Sequence, residues 1–181
     1  MQLTRVIVQD VPLGNDFADQ NCSVARTLEV IGERWSLLVV REAFLGVRRF
    51  DDFQKNLGIS RNVLSARLAK LVEQGILRRV QYSERPPRFE YRLSARGHDL
   101  SPVIMAMIDF GDRHAPPPNG PARLFKHREC GNEIDLRHQR CNHCGVDVDA
   151  RSIYTEAGPG YDGPIGEFKP VPPRAAAGPV G

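Results

Sequence analysis

The stretch from Phe50 to Leu93, FDDFQKNLGISRNVLSARLAKLVEQGILRRVQYSERPPRFEYRL, restricts the possible folds of this chain more than any other. It holds two short helical periods separated by Gly58-Ile59-Ser60, then two strand-like runs separated by a proline pair. Gly58 permits the positive φ of a sharp turn between helices. Ser60 stands where an N-cap belongs, its hydroxyl able to accept from the first turn's unpaired N–H groups. Ile59 and Leu64 occupy the two places of a hydrophobic staple. Leu64, Leu68, Leu71 and Val72 recur at helical spacing and face a core. Asn62, Ser65, Ala66, Ala69 and Lys70 lie on the other side, with Arg61 at the rim. A helix with a small, polar outer face near its N-terminus can enter a major groove and reach base edges. The ordinary alternative is a solvated amphipathic helix.

The residues that follow favour the first reading. Gly75 ends the helix as a C′ glycine. Ile76 to Tyr82 and Arg88 to Leu93 read as strands, and Pro86-Pro87 place the turn between them. The hairpin carries Arg78, Arg79, Arg85, Arg88 and Arg92. Such a wing can straddle phosphates or a minor groove, where cations release condensed counterions. The expected class is α+β: a winged helix-turn-helix DNA-binding domain with a small C-terminal unit.

On these residues the chain resembles the bacterial HxlR family of transcriptional regulators. The resemblance covers about residues 22 to 111. It rests on Cys22 with Val24-Ala25, Ile31-Gly32, Trp35, Gly46 and Arg49-Phe50. It continues through Ile59-Ser60, Val63-Leu64, Arg67-Leu68, Gly75, Pro86-Pro87-Arg88, Glu90-Tyr91, Leu93 and Gly97. It implies a homodimer that pairs through its terminal helices and binds operator DNA. Longer relatives carry a Cys-containing C-terminal ribbon.

Charge distribution agrees with a nucleic-acid partner. Residues 26 to 98 hold 15 Lys/Arg against 8 Asp/Glu, although the whole chain of 181 residues carries only +3. The basic excess therefore sits on the expected DNA module. No apolar run approaches the ~20 residues of a membrane span. The start, MQLTRVIVQD, lacks the apolar core of a signal peptide. A cytoplasmic protein with no membrane partner is expected.

The chain divides into an N-terminal arm at 1–21, the winged helix-turn-helix domain at 22–114, a Pro-rich linker at 115–122, a zinc-ribbon-like unit at 123–155 and a disordered tail at 156–181. Leu3 to Val8 are compatible with a short strand. Helices are expected over residues 22–31, with Val24, Leu28 and Ile31 on one face, over Trp35–Leu45, and over Arg49–Leu57. Ser94 caps another through about residue 113, which Pro102 kinks or splits. The apolar side of that helix, with the helix after Cys22, is a candidate dimer surface. Three successive prolines favour an extended linker, and the Gly/Pro/Ala-rich tail has little to bury.

The sharpest local chemistry lies in the second unit. His127-x-x-Cys130-Gly131 is followed after ten residues by Cys141-x-x-Cys144-Gly145. Paired ligands on tight turns, each trailed by glycine, are how zinc knuckles hold a tetrahedral ion. About 30 residues cannot build an adequate core alone, so metal would supply the folding free energy. The expected ligands are His127, Cys130, Cys141 and Cys144, holding one structural Zn2+ per chain. His138 and His143 are alternatives for the nitrogen ligand. Four protein ligands leave no open position for catalysis.

Cys22 stands apart from this cluster. It lies just before a helix, where the dipole favours a thiolate, and Arg26 follows one turn later. Several relatives sense quinones, aldehydes or oxidants with a cysteine at this position, so the resemblance suggests a redox or electrophile switch. The ordinary alternative is a small buried packing residue.

No catalytic motif is visible, and His98 and His114 read as exposed. The sequence thus points to a non-enzymatic, homodimeric, sequence-specific DNA-binding regulator, open to a small-molecule or redox effector. Ser60, Arg61, Asn62, Ser65 and Lys70 are the candidates on the recognition helix, and Arg85 and Arg88 those on the wing. The runner-up is a winged-helix and ribbon module that binds protein without reading DNA; a zinc enzyme is a further rival.

Overall fold

A computed structural model of the chain describes residue 17 and residues 20–161. The strand considered at Leu3–Val8 lies outside the described residues, as do most of the arm and of the tail. The elements run α1 (Ser23–Ile31), α2 (Ser36–Phe44), α3 (Phe50–Leu57), α4 (Arg61–Glu73), β1 (Leu77–Glu84), β2 (Pro87–Leu93), α5 (Ala95–His98), α6 (Ser101–His114), β3 (Arg123–His127), β4 (Ile134–Asp135), β5 (Arg140–Cys141) and β6 (Ile153–Ala157). The fold is α+β. Among the described residues no helix is long and apolar enough to cross a membrane.

The turn from α3 to α4 forms as its residues require. Gly58 takes φ 60°, a left-handed value that side chains rarely adopt. The Ser60 hydroxyl accepts from the Val63 N–H at 3.4 Å, and Ile59 and Leu64 of the staple are both buried. Leu64, Leu68 and Leu71 then bury one face of α4 against Val39 and Val40 of α2 and Phe53 of α3. Ile76, Leu77 and Leu93 close this first core from the hairpin side.

β1 and β2 pair antiparallel from Leu77 with Leu93 out to Glu84 with Pro87, with a register shift between Gln81 and Ser83. The loop before α3 adds to the wing, since the Tyr91 N–H donates to the Arg48 carbonyl at 2.8 Å and Arg49 bridges Glu90. The wing thus has three-sided support at its base.

The long helix expected after Ser94 is split. Ser94 caps only the four-residue α5, accepting from the Gly97 N–H at 3.0 Å, and Pro102 falls in the first turn of α6. Proline is tolerated there because the N–H it lacks has no helical partner anyway. Gly97 is required for closeness: a Cβ at this position would stand 2.3 Å from the Ile76 carbonyl oxygen.

The face expected on α1 is only partly covered. Ile31 is buried, but Val24 is 67 % exposed and Leu28 42 % exposed. Ala25 and Ile31 are buried and Val30 packs against the first core, so the Val24–Leu28 part of the apolar stripe faces outward. His98 is also not the exposed residue expected: it is half-buried, edge-on to Phe44 at 5.8 Å.

In the C-terminal unit β3 pairs with β6 and β4 with β5, both antiparallel. Its small core of Ile134, Cys141, Val148 and Ile153 includes Met105 of α6. Adjacent residues of α6 therefore serve two cores, Ile104 the winged helix and Met105 the ribbon. A third row on α6, Val103, Met107 and Phe110, is exposed.

Candidate nucleic-acid interface and metal centre

The outer face of α4 is open at its N-terminal end, where Arg61, Asn62 and Ser65 are exposed beside the Ser60 cap. Arg61 does not hang free. Its guanidinium lies 4.7 Å over the Phe50 ring and 3.6 Å from the Asp51 carboxylate. Stacking on Phe50 narrows the directions in which this long side chain points. Lys70 lies two turns on, exposed and 3.7 Å from Glu73. Arg67, on the flank, is held by Glu33 at 3.2 Å.

On the wing, Arg85 and Arg88 are exposed at the turn, and Arg88 stands opposite Ser83. Two further cations lie nearer its base. Arg79 stacks 3.6 Å over Phe89, and Arg49 lies 5.0 Å over Tyr82 at the bulge. Arg49 was missed as a candidate. The adjacent Arg48-Arg49 before α3 was the available signal, but only the bridge from Arg49 to Glu90 brings it to the wing.

The four expected metal ligands converge. One ligand atom from each of His127, Cys130, Cys141 and Cys144 lies within 4.8 Å of all the others. Their placement follows from two matching turns. The Gly131 N–H donates to the His127 carbonyl and the Gly145 N–H to the Cys141 carbonyl, at 2.8 and 3.0 Å. Each is closed one residue further, by His127 N–H to Asn132 and Cys141 N–H to Val146. Both glycines have positive φ, 70° and 66°.

The spacing suits a tetrahedral ion. Bonds typical of zinc give edges of about 3.8 Å between sulfurs and about 3.6 Å from nitrogen to sulfur. Here Cys130 Sγ lies 3.4 Å from Cys141 Sγ and 4.0 Å from Cys144 Sγ. Nδ1 of His127 lies 3.4 Å from Cys130 Sγ and 3.3 Å from Cys144 Sγ. Of the alternative nitrogens, His138 is held by Asp135 at 2.7 Å and His143 is outside the group.

The thiols are unequal. The Asn132 backbone N–H draws Cys130 below its ordinary value. Burial pushes Cys141 up, but the N–H groups of Cys144 and His143 and the neighbouring sulfurs outweigh it, bringing that thiol to about 7. Desolvation, then the Cys141 sulfur, raise Cys144.

Cys22 is the N-cap residue of α1 and is exposed, so within one chain it does not pack in the core. Arg26 turns to the Asn21 side chain at 3.1 Å rather than standing as an uncommitted charge.

The model of the HxlR-like helix-turn-helix family matches residues 30–119. The uncharacterized HTH-type transcriptional regulator Rv3095 of Mycobacterium tuberculosis is 49 % identical over 139 residues, covering 77 % of this chain and 87 % of that one. The uncharacterized HTH-type transcriptional regulator YdeP of Bacillus subtilis is 33 % identical over 106 residues, covering 56 % and 83 %. Among solved structures, PA1607, described as a transcription factor, aligns with a TM-score of 0.60 at 37 % identity, over 73 % of this chain and 92 % of that one.

Proposed function

The chain belongs to the HxlR-like helix-turn-helix family of transcriptional regulators, and from that premise we propose that it binds operator DNA as a homodimer through α4 and the wing. The observation that carries this is the open, capped N-terminus of α4 beside an arginine-bearing hairpin. Arg61, Asn62 and Ser65 read base edges, Ser60 and Lys70 flank them, and Arg85 and Arg88 meet the backbone beside the groove. Paired recognition helices enter successive major grooves about 34 Å apart.

The dimer surface is the exposed apolar row of α6 with the outward stripe of α1. Val103, Met107, Phe110, Val24 and Leu28 are all at least 38 % exposed in one chain. Covering them removes apolar area from water, which is the driving force for association. Cys22 begins α1 beside this surface, so modification of its thiol would tilt one winged helix against its partner. That supports the redox or electrophile reading.

In the C-terminal unit, His127, Cys130, Cys141 and Cys144 hold one structural Zn2+. The ion would supply the cross-link that this unit's small core lacks. The chain divides into units at 22–114 and 123–157 joined by the 115–122 linker; the second passes the expected limit of 155, and the tail expected from 156 starts later, because β6 runs to Ala157 and pairs it with Arg123.

A salt titration of duplex binding tests the reading. Counterion release predicts that log affinity falls linearly and steeply with log salt. Sequencing DNA that co-purifies with the protein should return one recurring, roughly palindromic motif. Binding that ignores salt and sequence would instead support a protein-interaction module.

A further inference from the structure

The hairpin has two unlike faces. Side chains alternate along paired strands. Leu77 with Leu93, Arg79 with Tyr91 and Gln81 with Phe89 therefore share one face, and Arg78 with Arg92 and Val80 with Glu90 share the other. Leu77 and Leu93 are buried in the first core with Leu64, Leu68 and Leu71 of α4, so theirs is the face turned toward that helix. Beyond these leucines an open cleft of about 570 Å³ separates the hairpin from α4. Arg61, Ser65 and Ala69 line it from α4, Arg79 and Tyr91 from the hairpin, and Phe50 from α3.

Each bank carries an arginine set on a ring. Arg61 lies over Phe50, and Arg79 lies 3.6 Å over Phe89, its diagonal neighbour across the strands. Stacking engages the flat of a guanidinium and leaves free the N–H donors at its edge, the fork that fits two oxygens of one phosphate. Arg79 is exposed, and among the described residues no ion pair engages it, whereas Glu90 holds Arg92 on the other face. Two carboxylates lie close by. Glu73 lines the cleft and pairs with Lys70 at 3.7 Å, and Asp51 pairs with Arg61 at 3.6 Å. Exposed pairs of this kind contribute little and are screened by salt, so they compete weakly with a phosphate.

A helix seated in a major groove has a sugar–phosphate strand along each side. With the N-terminal face of α4 turned to base edges, the strand on the hairpin side has to pass between α4 and the wing. Given the operator binding proposed above, we infer that this strand runs through the cleft and that Arg79 grips one of its phosphates from the hairpin bank. The contact lies on the inner face of the hairpin, apart from Arg85 and Arg88 at its turn. Phosphate contacts fix register and orientation without carrying sequence information. Arg79 thus sets how α4 lies in the groove without choosing bases.

The test measures binding of the full chain to a duplex selected from a random library by the wild type, and to an unselected duplex of equal length, over a range of salt. Arg79→Gln should weaken both about tenfold per half-site. It should also flatten the dependence of log affinity on log salt by about 0.9 per half-site. Arg78→Gln removes the same charge from the other face and should cost much less. Arg79→Lys keeps the charge without the planar fork and should recover only part of the loss. Neutral methylphosphonates placed one at a time along the selected duplex locate the contact: one position per half-site should weaken the wild type and leave Arg79→Gln unaffected. Unchanged thermal melts in all three variants separate a lost contact from a lost fold. Equal losses for Arg78→Gln and Arg79→Gln, or one methylphosphonate profile shared by wild type and Arg79→Gln, would overturn the proposal and leave operator binding intact. A wild type that binds no duplex would sink the operator reading itself, and the cleft's role with it.

Discussion

The Asn56 side chain donates a 2.7 Å hydrogen bond to Oε2 of Glu42, tying the first helix of the helix-turn-helix pair to the helix behind it. Arg41 takes the other oxygen, through Nε at 3.1 Å and Nη2 at 2.8 Å. Glu42 is 4 % exposed, so its removal takes the acceptor from the half-buried Asn56 amide and leaves a gap beside it. Glu42→Ala should lower unfolding stability by about 1–3 kcal/mol in denaturant titrations. A double-mutant cycle with Asn56→Ala should give a coupling of roughly 0.5–3 kcal/mol; strict additivity would mean the bond contributes nothing.

Arg61 gives the test of base reading. If it contacts a guanine, Arg61→Ala weakens specific binding by about 1–3 kcal/mol and relaxes preference at one position of the site. Phe50→Leu, which removes the ring under the guanidinium, should give a smaller loss in the same direction. Anisotropy titrations on specific and random duplexes decide the matter. Equal losses on both would make Arg61 a phosphate contact.

The metal prediction is quantitative. Protein purified without chelator or oxidant should contain about one Zn2+ per chain, and a chelator should unfold the ribbon. Cys141→Ser should release the metal, since Cys141 is both a ligand and 2 % exposed in the ribbon core. The winged helix should stay folded but lose some stability, because Met105 loses its ribbon neighbours. Metal content near zero would sink the assignment.

Gly97→Ala should be more damaging than its size suggests. The added methyl would also meet the Leu93 side chain at 3.0 Å, so either α5 or the start of β1 must move. Overpacking of this kind typically costs about 1–3 kcal/mol. Thermal melts of Gly97→Ala beside Gly111→Ala form the comparison, since nothing lies within 4 Å of a Cβ at Gly111. Similar melting temperatures would refute the packing argument.

For Cys22, iodoacetamide should label the folded, metal-loaded chain faster there than at the three clustered cysteines. Diamide or a quinone should then lower operator affinity in the wild type and not in Cys22→Ser. Identical responses would place the effector elsewhere.

Much of this was legible from residue order. Caps, glycines and prolines act locally, so Ser60, Gly58, Gly75 and Ser94 mark element ends that the structure repeats to within a residue or two. The metal group was legible for the same reason: each His or Cys pair sits on one short turn, and only the meeting of the two turns is long-range. Periodicity alone does not name a partner. Val24 and Leu28 form an apolar stripe, but a stripe does not say whether the covering surface is one's own core. Pro102 was ambiguous because a proline fits a first turn as well as a kink. The docking of the ribbon through Met105 left no local signature at all, and neither did the approach of Arg49 to Tyr82.

The pairing of β3 with β6 has a mechanical consequence. Arg123 pairs with Ala157 at one end and His127 with Ile153 at the other. Tension pulling the chain apart on either side of the ribbon therefore loads the Arg123 end first. An antiparallel pair loaded this way opens like a zipper, one rung at a time, rather than shearing along its length. His127 belongs to the last rung, so the metal group is shielded from force until the other four pairs have parted.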